Sequence, residues 1–307
     1  MIVKPAFLAP ALFVLVVSPA FSTESIREVV TEAIISGPLP GFDHGHLFFV
    51  DHPSNSVRLF APDGHLLTGF ESHPGVGRPA SISSLVVDPA GTIATAWTSG
   101  PDGCGVDLHD FRGTLIGSFS TGTYCQVGLW FAEDHTLWSF GSEYFTRFSP
   151  PSPSFLTVRH YSLSGQQLAA FLPKSEFPEV AMVAYCCAWE AKIQVTRDRI
   201  GINAVTGPNS GVKQWVEMDL NGNVTGRWPI PGHVQGLTPV LTSDGQVYLS
   251  RIVPDAKAIR TFRLNRTQST WDSVALPDGS VWGVDGTRLV FAQWTTGAMA
   301  LRWFDQP

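Results

Sequence analysis

The chain has 307 residues, a formal charge of −6, 44% apolar residues and 15% charged ones, so it can bury a sizeable core and is not a disordered segment. Its 29 glycines and 23 prolines follow no three-residue period, which excludes collagen and disfavours long helices. An acidic balance without a basic run excludes a nucleic-acid footprint and leaves a turn-rich, all-β protein.

Residues 1–22 read as a secretory signal. Lys4 supplies the positive start, 7–17 the apolar run, and Ser18, Pro19 and Ala20, or Ala20, Phe21 and Ser22, a small-residue cleavage pattern. Pro5, Pro10 and Pro19 keep the run short of the roughly 20 residues a bilayer span needs. The mature domain is therefore expected over 23–307, in the periplasm or outside the cell, with no membrane span. In that oxidising setting four cysteines predict disulfides, and the absence of a CxxC pair argues against structural zinc.

After the signal comes REVVTEAII, an apolar, β-branched run. From there two hairpin patterns alternate. One carries a glycine turn between two apolar runs: VRLFAPDGHLLTGF from 57, VDLHDFRGTLIGSF from 106, VRHYSLSGQQLAAF from 158 and VEMDLNGNVTGRW from 216, with turn glycines Gly64, Gly113, Gly165 and Gly222. TFRLNRTQSTWDSV from 261 is a degenerate copy with Gln268 in place of glycine. The other pattern turns near Asp: GFDHGHLFFVDH, SLVVDPAGTIATAW, LWFAEDHTLWSF, IQVTRDRIGINA, PVLTSDGQVYLS and WGVDGTRLVFAQW. Strict alternation gives four strands per unit, A to D, in six units. The last unit, ending in MALRWFD, lacks its D strand, and REVVTEAII is expected to supply it and close a ring.

These repeats, a hydrophobic-Asp-Gly turn followed by a second strand and a Phe/Tyr-x-x-x-Gly turn, resemble six-bladed β-propellers of the NHL-repeat type and the related senescence-marker and gluconolactonase-like group. The resemblance covers about residues 24 to 307. It implies a monomeric all-β ring of six four-stranded antiparallel blades, and specifies blades rather than an activity.

In such a ring the A strands line a channel, with DA and BC connections on one face and AB and CD turns on the other. The long connections 140–155, 172–189, 203–214 and 250–259 all fall on the DA/BC face, which marks it as the binding face. Cys104 and Cys125 are placed in neighbouring loops there and are predicted to pair. Cys186 and Cys187 could form a vicinal disulfide, Cys186 could pair with Cys125, or both could stay free. Near the channel mouth the alignment places Ser83, Ser84, Gln126, Glu190, Gln235, Thr238 and Ser280, with Trp130, Trp189 and Trp282. Two readings apply: channel waters with tryptophans packed between blades, or an aromatic-walled pocket for a small ligand.

Catalytic patterns are sparse. His44, His46 and His52 with Asp43 and Asp51 form the densest run of metal-ligand types, but they sit at an AB turn without a distant third ligand. In gluconolactonase-like relatives a divalent cation is held by Glu, Asn and Asp, and the resemblance implies Glu190, Asn203 and Asp278 in those roles, with calcium or another divalent cation polarising a lactone carbonyl. Some quinone-cofactor propellers carry an adjacent cysteine pair, so a quinone-dependent sugar dehydrogenase is a further alternative. No GxSxG or phosphate-binding glycine motif occurs. The favoured expectation is a non-catalytic propeller, without cofactor, that binds a small molecule, glycan or protein.

Overall fold

The structure is a computed structural model; it describes residues 28–32, 41–51, 54–72, 80–99, 103–143, 152–177, 192–206, 212–230, 238–253, 258–276, 279–295 and 298–307. Twenty-four strands form six four-stranded antiparallel sheets. The first blade is β2 (Gly41–Asp43), β3 (His46–Asp51), β4 (Ser56–Phe60) and β5 (Leu66–Glu71). The second is β6 (Ser81–Asp88), β7 (Thr92–Thr98), β8 (Cys104–Asp110) and β9 (Leu115–Gly122). The third is β10 (Tyr124–Phe131), β11 (Leu137–Glu143), β12 (Leu156–Tyr161) and β13 (Gln167–Pro173). The fourth is β14 (Lys192–Val195), β15 (Ile200–Thr206), β16 (Val212–Met218) and β17 (Val224–Pro229). The fifth is β18 (Val240–Leu241), β19 (Val247–Val253), β20 (Ala258–Asn265) and β21 (Thr270–Val274).

The sixth blade, β22 (Ser280–Asp285), β23 (Arg288–Thr295) and β24 (Ala298–Phe304), takes β1 (Glu28–Glu32) as its outer strand. Glu28 stands opposite Arg302 and Glu32 opposite Ala298. The segment after the signal therefore closes the ring as its β-branched composition predicts. Neighbouring A strands touch all the way round, β2 to β6, β10, β14, β18, β22 and back to β2. The molecule is a six-bladed β-propeller.

The core is divided into six apolar clusters, one between each pair of blades. Val57 and Leu59 of β4 meet Ile82, Leu85 and Val87 of β6; Phe42 and Leu47 of the first blade meet Val290, Leu301 and Trp303 of the last. Inner strands are covered on both faces, which is why runs such as SLVVD read as continuously apolar.

The glycine turns do two jobs. Gly113 and Gly222 have φ of +80° and +87°, the left-handed region where a side chain is strained. Their N–H groups close the turns on Asp110 O and Asp219 O at 2.9 and 3.1 Å, and a β-bulge follows in each hairpin. The missing Cβ matters as well: one on Gly113 would lie 2.7 Å from Phe70 Cβ, and one on Gly165 2.5 Å from Phe119 Cβ. The aromatic ring that ends one blade's outer strand thus seats on the turn glycine of the next. At the fifth blade, where Gln268 replaces glycine, a different contact comes from the same turn. Arg266 donates to both oxygens of the buried Glu217 in the fourth blade, at 2.9 and 2.7 Å, and to Gly245 O. Trp215 Nε1 donates to the same carboxylate.

Cys104 and Cys125 are disulfide-bonded, as their spacing predicts. Both are buried strand residues, heading β8 and lying second in β10, rather than loop residues, so the bond staples blade two to blade three. Cys186 and Cys187, residues 1–27 and most of the long connections lie outside the described residues.

The replacement Cys104→Ser/Cys125→Ser releases a 21-residue separation and should lower stability by roughly 3 kcal/mol, read from urea unfolding. Arg266→Met should lower it by about 2 kcal/mol, because Glu217 loses its two-point partner and keeps only Trp215 Nε1 and the Arg199 guanidinium at 3.6 Å. Adding Glu217→Gln to that variant should recover part of the loss; no recovery would mean that packing, not charge, holds this seam.

Candidate functional site: the central channel

The inner edge of each A strand has no strand partner, so its free N–H groups need acceptors from elsewhere. Polar side chains of the preceding blade supply them. Asp43 Oδ2 accepts from Val87 N at 2.8 Å, Asn55 Oδ1 from Ile82 N at 3.2 Å and Ser84 Oγ from Leu129 N at 3.2 Å. Gln194 accepts from Leu241 N at 2.6 Å and donates to Pro239 O at 2.9 Å. Ser250 Oγ accepts from Val281 N at 2.8 Å. β-Bulges on β6, β10 and β22 at Ser83, Val127 and Trp282 turn these residues toward the axis.

Inside this ring lies a cavity of about 160 Å³ lined by residues of all six blades. Its walls are mainly apolar, with Phe42, Leu85, Leu129, Val281 and Trp282 prominent. Among the described residues, the charged ones on them are Asp43 and Lys192. Asp43 is buried, and its second oxygen lies 2.7 Å from His44 Nδ1. Lys192, the first residue of β14, is partly exposed, and among the described residues its ammonium has no hydrogen bond or ion pair. Burial holds its pKa below the ordinary lysine value, with the Asp43 carboxylate opposing.

Of the residues expected at the channel mouth, Ser83, Ser84, Trp130, Thr238 and Trp282 line the cavity. Ser83 and Ser84 are committed to hydrogen bonds between blades two and three, Ser83 Oγ donating to Gln126 O at 2.7 Å. Trp130 lies at the opposite end from the mouth, one residue before the AB turn of its blade, where it packs on His44 at 4.9 Å between ring centroids. The Gln126 side chain does not line the cavity: it is fully buried and donates to Thr121 Oγ1. Ser280 is buried at the start of β22. Trp189, Glu190 and Gln235 lie outside the described residues.

Of the implied metal ligands, Asn203 is not in a loop after the B strand but inside it, buried opposite Lys192 and Trp215. Glu190 and Asp278 lie outside the described residues, and no group of three His, Cys, Asp or Glu side chains gathers among the described ones. The two turn histidines diverge: His44 faces Trp130, whereas His46 packs on Phe111 and bonds His44 O.

Lys192 is the lining residue that the sequence reading missed. The signal was available, since a lysine heads the A strand Lys-Ile-Gln-Val, whose other three residues are buried.

No protein-family model matches the chain, and no curated protein matches it. Solved structures do. Hydrazine synthase of Kuenenia stuttgartiensis matches at 13% identity and TM-score 0.53, over 85% of this chain and 74% of that one. A protein of unknown function from Bacteroides caccae matches at 10% identity and TM-score 0.50, over 81% and 83%. At such identities the likeness is one of fold.

Burial opposes protonation of His44, but the Asp43 and Asp88 carboxylates and the Val87 carbonyl outweigh it, so its pKa stands above the ordinary value of 6.5. Its contribution to stability is then fully present below about pH 6.5 and is lost as the pH rises through the folded-state pKa. His44→Asn, which tolerates the φ of +45° at this position, should destabilise the protein more at pH 6 than at pH 9, the difference being about 1 kcal/mol. Equal losses at both pH values would show that the pair is not ionic.

Proposed function

We propose that this chain is an exported, non-catalytic binding propeller that holds a small molecule in its central channel, reached from the face of the DA and BC connections. The observation that carries this reading is the cavity of about 160 Å³ on the axis. Mostly apolar walls with a few placed polar groups are the make-up of a small-ligand site. The serines and glutamine on those walls are tied into the scaffold, which gives the site rigidity and leaves them unsuited to act as nucleophiles or bases. Export is supported by the signal-like residues 1–22 and by the Cys104–Cys125 bond, a feature of oxidising compartments. The relation to NHL-repeat and gluconolactonase-like propellers rests on the hairpin repeats.

Ligand-observed NMR with a library of neutral, anionic and cationic fragments tests the reading on the oxidised protein and on Thr238→Phe, whose ring fills the channel. Hits should appear with the native chain and vanish with the variant, its fold being checked by circular dichroism. Hits indifferent to the filled channel, or none at millimolar concentration, would refute it. Melting in excess calcium and in EDTA should give the same temperature. A ligand at a hundred times its Kd adds about 2.7 kcal/mol, so a clear rise with calcium would replace this reading with a metal-dependent hydrolase.

A further inference from the structure

The polar side chains that face the channel are nearly all spoken for. Both oxygens of Asp43 are engaged, one by Val87 N and one by His44. Ser83 gives its proton to Gln126 O, Ser84 accepts from Leu129 N, and Gln194 uses its oxygen and its nitrogen on the fifth blade. Lys192 is different. It lines the same cavity, no carboxylate lies within ion-pair distance of it among the described residues, and it makes no hydrogen bond to them. The Thr238 hydroxyl on the same walls is likewise uncommitted.

An ammonium in a confined, apolar-walled space is an unbalanced charge, since removing it from water costs several kcal/mol unless an anion meets it. Its attraction for an anion grows as the site dries, because fewer waters screen the pair. Among the described residues no carboxylate meets it within ion-pair distance, and Asp43 on the same wall acts on it only at longer range. The rest of the wall, Phe42, Leu85, Leu129, Val281 and Trp282, suits a hydrocarbon body. A cavity of about 160 Å³ is close to the roughly 150 Å³ that takes a benzene ring in an engineered apolar cavity. A dianion such as phosphate fits less well, because among the described residues Lys192 is the sole cation on the walls and Asp43 repels a second negative charge.

Resting on the reading of the channel as a ligand site, we propose that its ligands are small organic monocarboxylates, with the carboxylate paired to Lys192 Nζ and an aromatic or short aliphatic body against Trp282, Leu129 and Val281. Lys192 is then the specificity-determining residue, and the apolar walls supply affinity without choosing between an acid and its amide.

Calorimetric titration with benzoate, hexanoate, benzamide and hexanamide tests this on the oxidised protein and on Lys192→Met, which keeps the length of the side chain and removes its charge. The acids should bind at least about tenfold more tightly than their amides, since a hydrogen bond to a charged group is worth more than a neutral one. Lys192→Met should remove that preference and leave amide binding unchanged. Amides binding as tightly as acids, or acids binding Lys192→Met normally, would overturn the carboxylate assignment. If Thr238→Phe then abolishes binding of acids and amides alike, the channel is still the ligand site and only its charge selection is wrong. Failure of both acids to bind the native protein overturns the assignment too, and the fragment library decides separately whether the channel binds anything.

Discussion

The free inner edge of the A strands is the constraint around which this propeller is built. Six separate four-stranded sheets each have an outer edge that faces solvent and an inner edge that faces the axis, and on the inner side each unpaired N–H is a liability. Making the strands short is one answer, and β2 and β18 have three and two residues. Borrowing acceptors from the neighbouring blade is the other, as Asp43, Asn55, Ser84, Gln194 and Ser250 show. Each such bond also fixes the position of one blade against the next, so backbone satisfaction and channel geometry are one problem. The polar residues bordering the axis are consequences of that solution, and this is why an uncommitted lysine among them stands out.

The outer hairpins were legible in the sequence because their chemistry is local. A glycine seven residues after an apolar start is demanded by a positive φ, whatever surrounds it. The count of six and the closure by residues after the signal followed from the same bookkeeping of strands. What the sequence did not disclose is that the recurring Phe and the recurring Gly belong together across blades, Phe70 on Gly113 and Phe119 on Gly165, since that pairing joins residues about 45 apart. The channel was legible in part for the same reason. Ser83, Ser84, Thr238 and Trp282 were placed near it by aligning the A strands on their Asp turns, and all four line it. Bulges at Ser83, Val127 and Trp282 break the side-chain alternation in three A strands, and Gln126, immediately before one of them, turns into the blade instead. Trp130 lines the same cavity, near the AB turn of its blade.

Charge is distributed by the same logic. The AB and CD turns gather the ion pairs: His44 with Asp43, His135 with Asp88 at 2.9 Å, and Arg266 with Glu217. The second and third join neighbouring blades. Apart from the balanced Asp43, the channel wall carries one charge, Lys192, with no partner among the described residues.

The seam between the fourth and fifth blades shows how one geometric requirement can be met by two chemistries. At the three seams from the first blade to the fourth, an aromatic ring of the outer strand seats on a bare turn glycine, Phe70 on Gly113, Phe119 on Gly165 and Phe171 on Gly222, a contact that depends on shape and on the absence of a Cβ. At this seam the glycine is replaced by Gln268, and the same turn sends Arg266 back to Glu217 and Gly245. The apolar version is non-directional and weakens on cooling, as hydrophobic contacts do. The ionic version fixes register through three hydrogen bonds, and its stability depends on Glu217 never being left alone in the interior. A ring is only as closed as its weakest seam, so where the Gly–Phe contact is absent between the fourth and fifth blades a more directional interaction takes its place, and Trp215 supplies the donor that holds the Glu217 carboxylate in position for it.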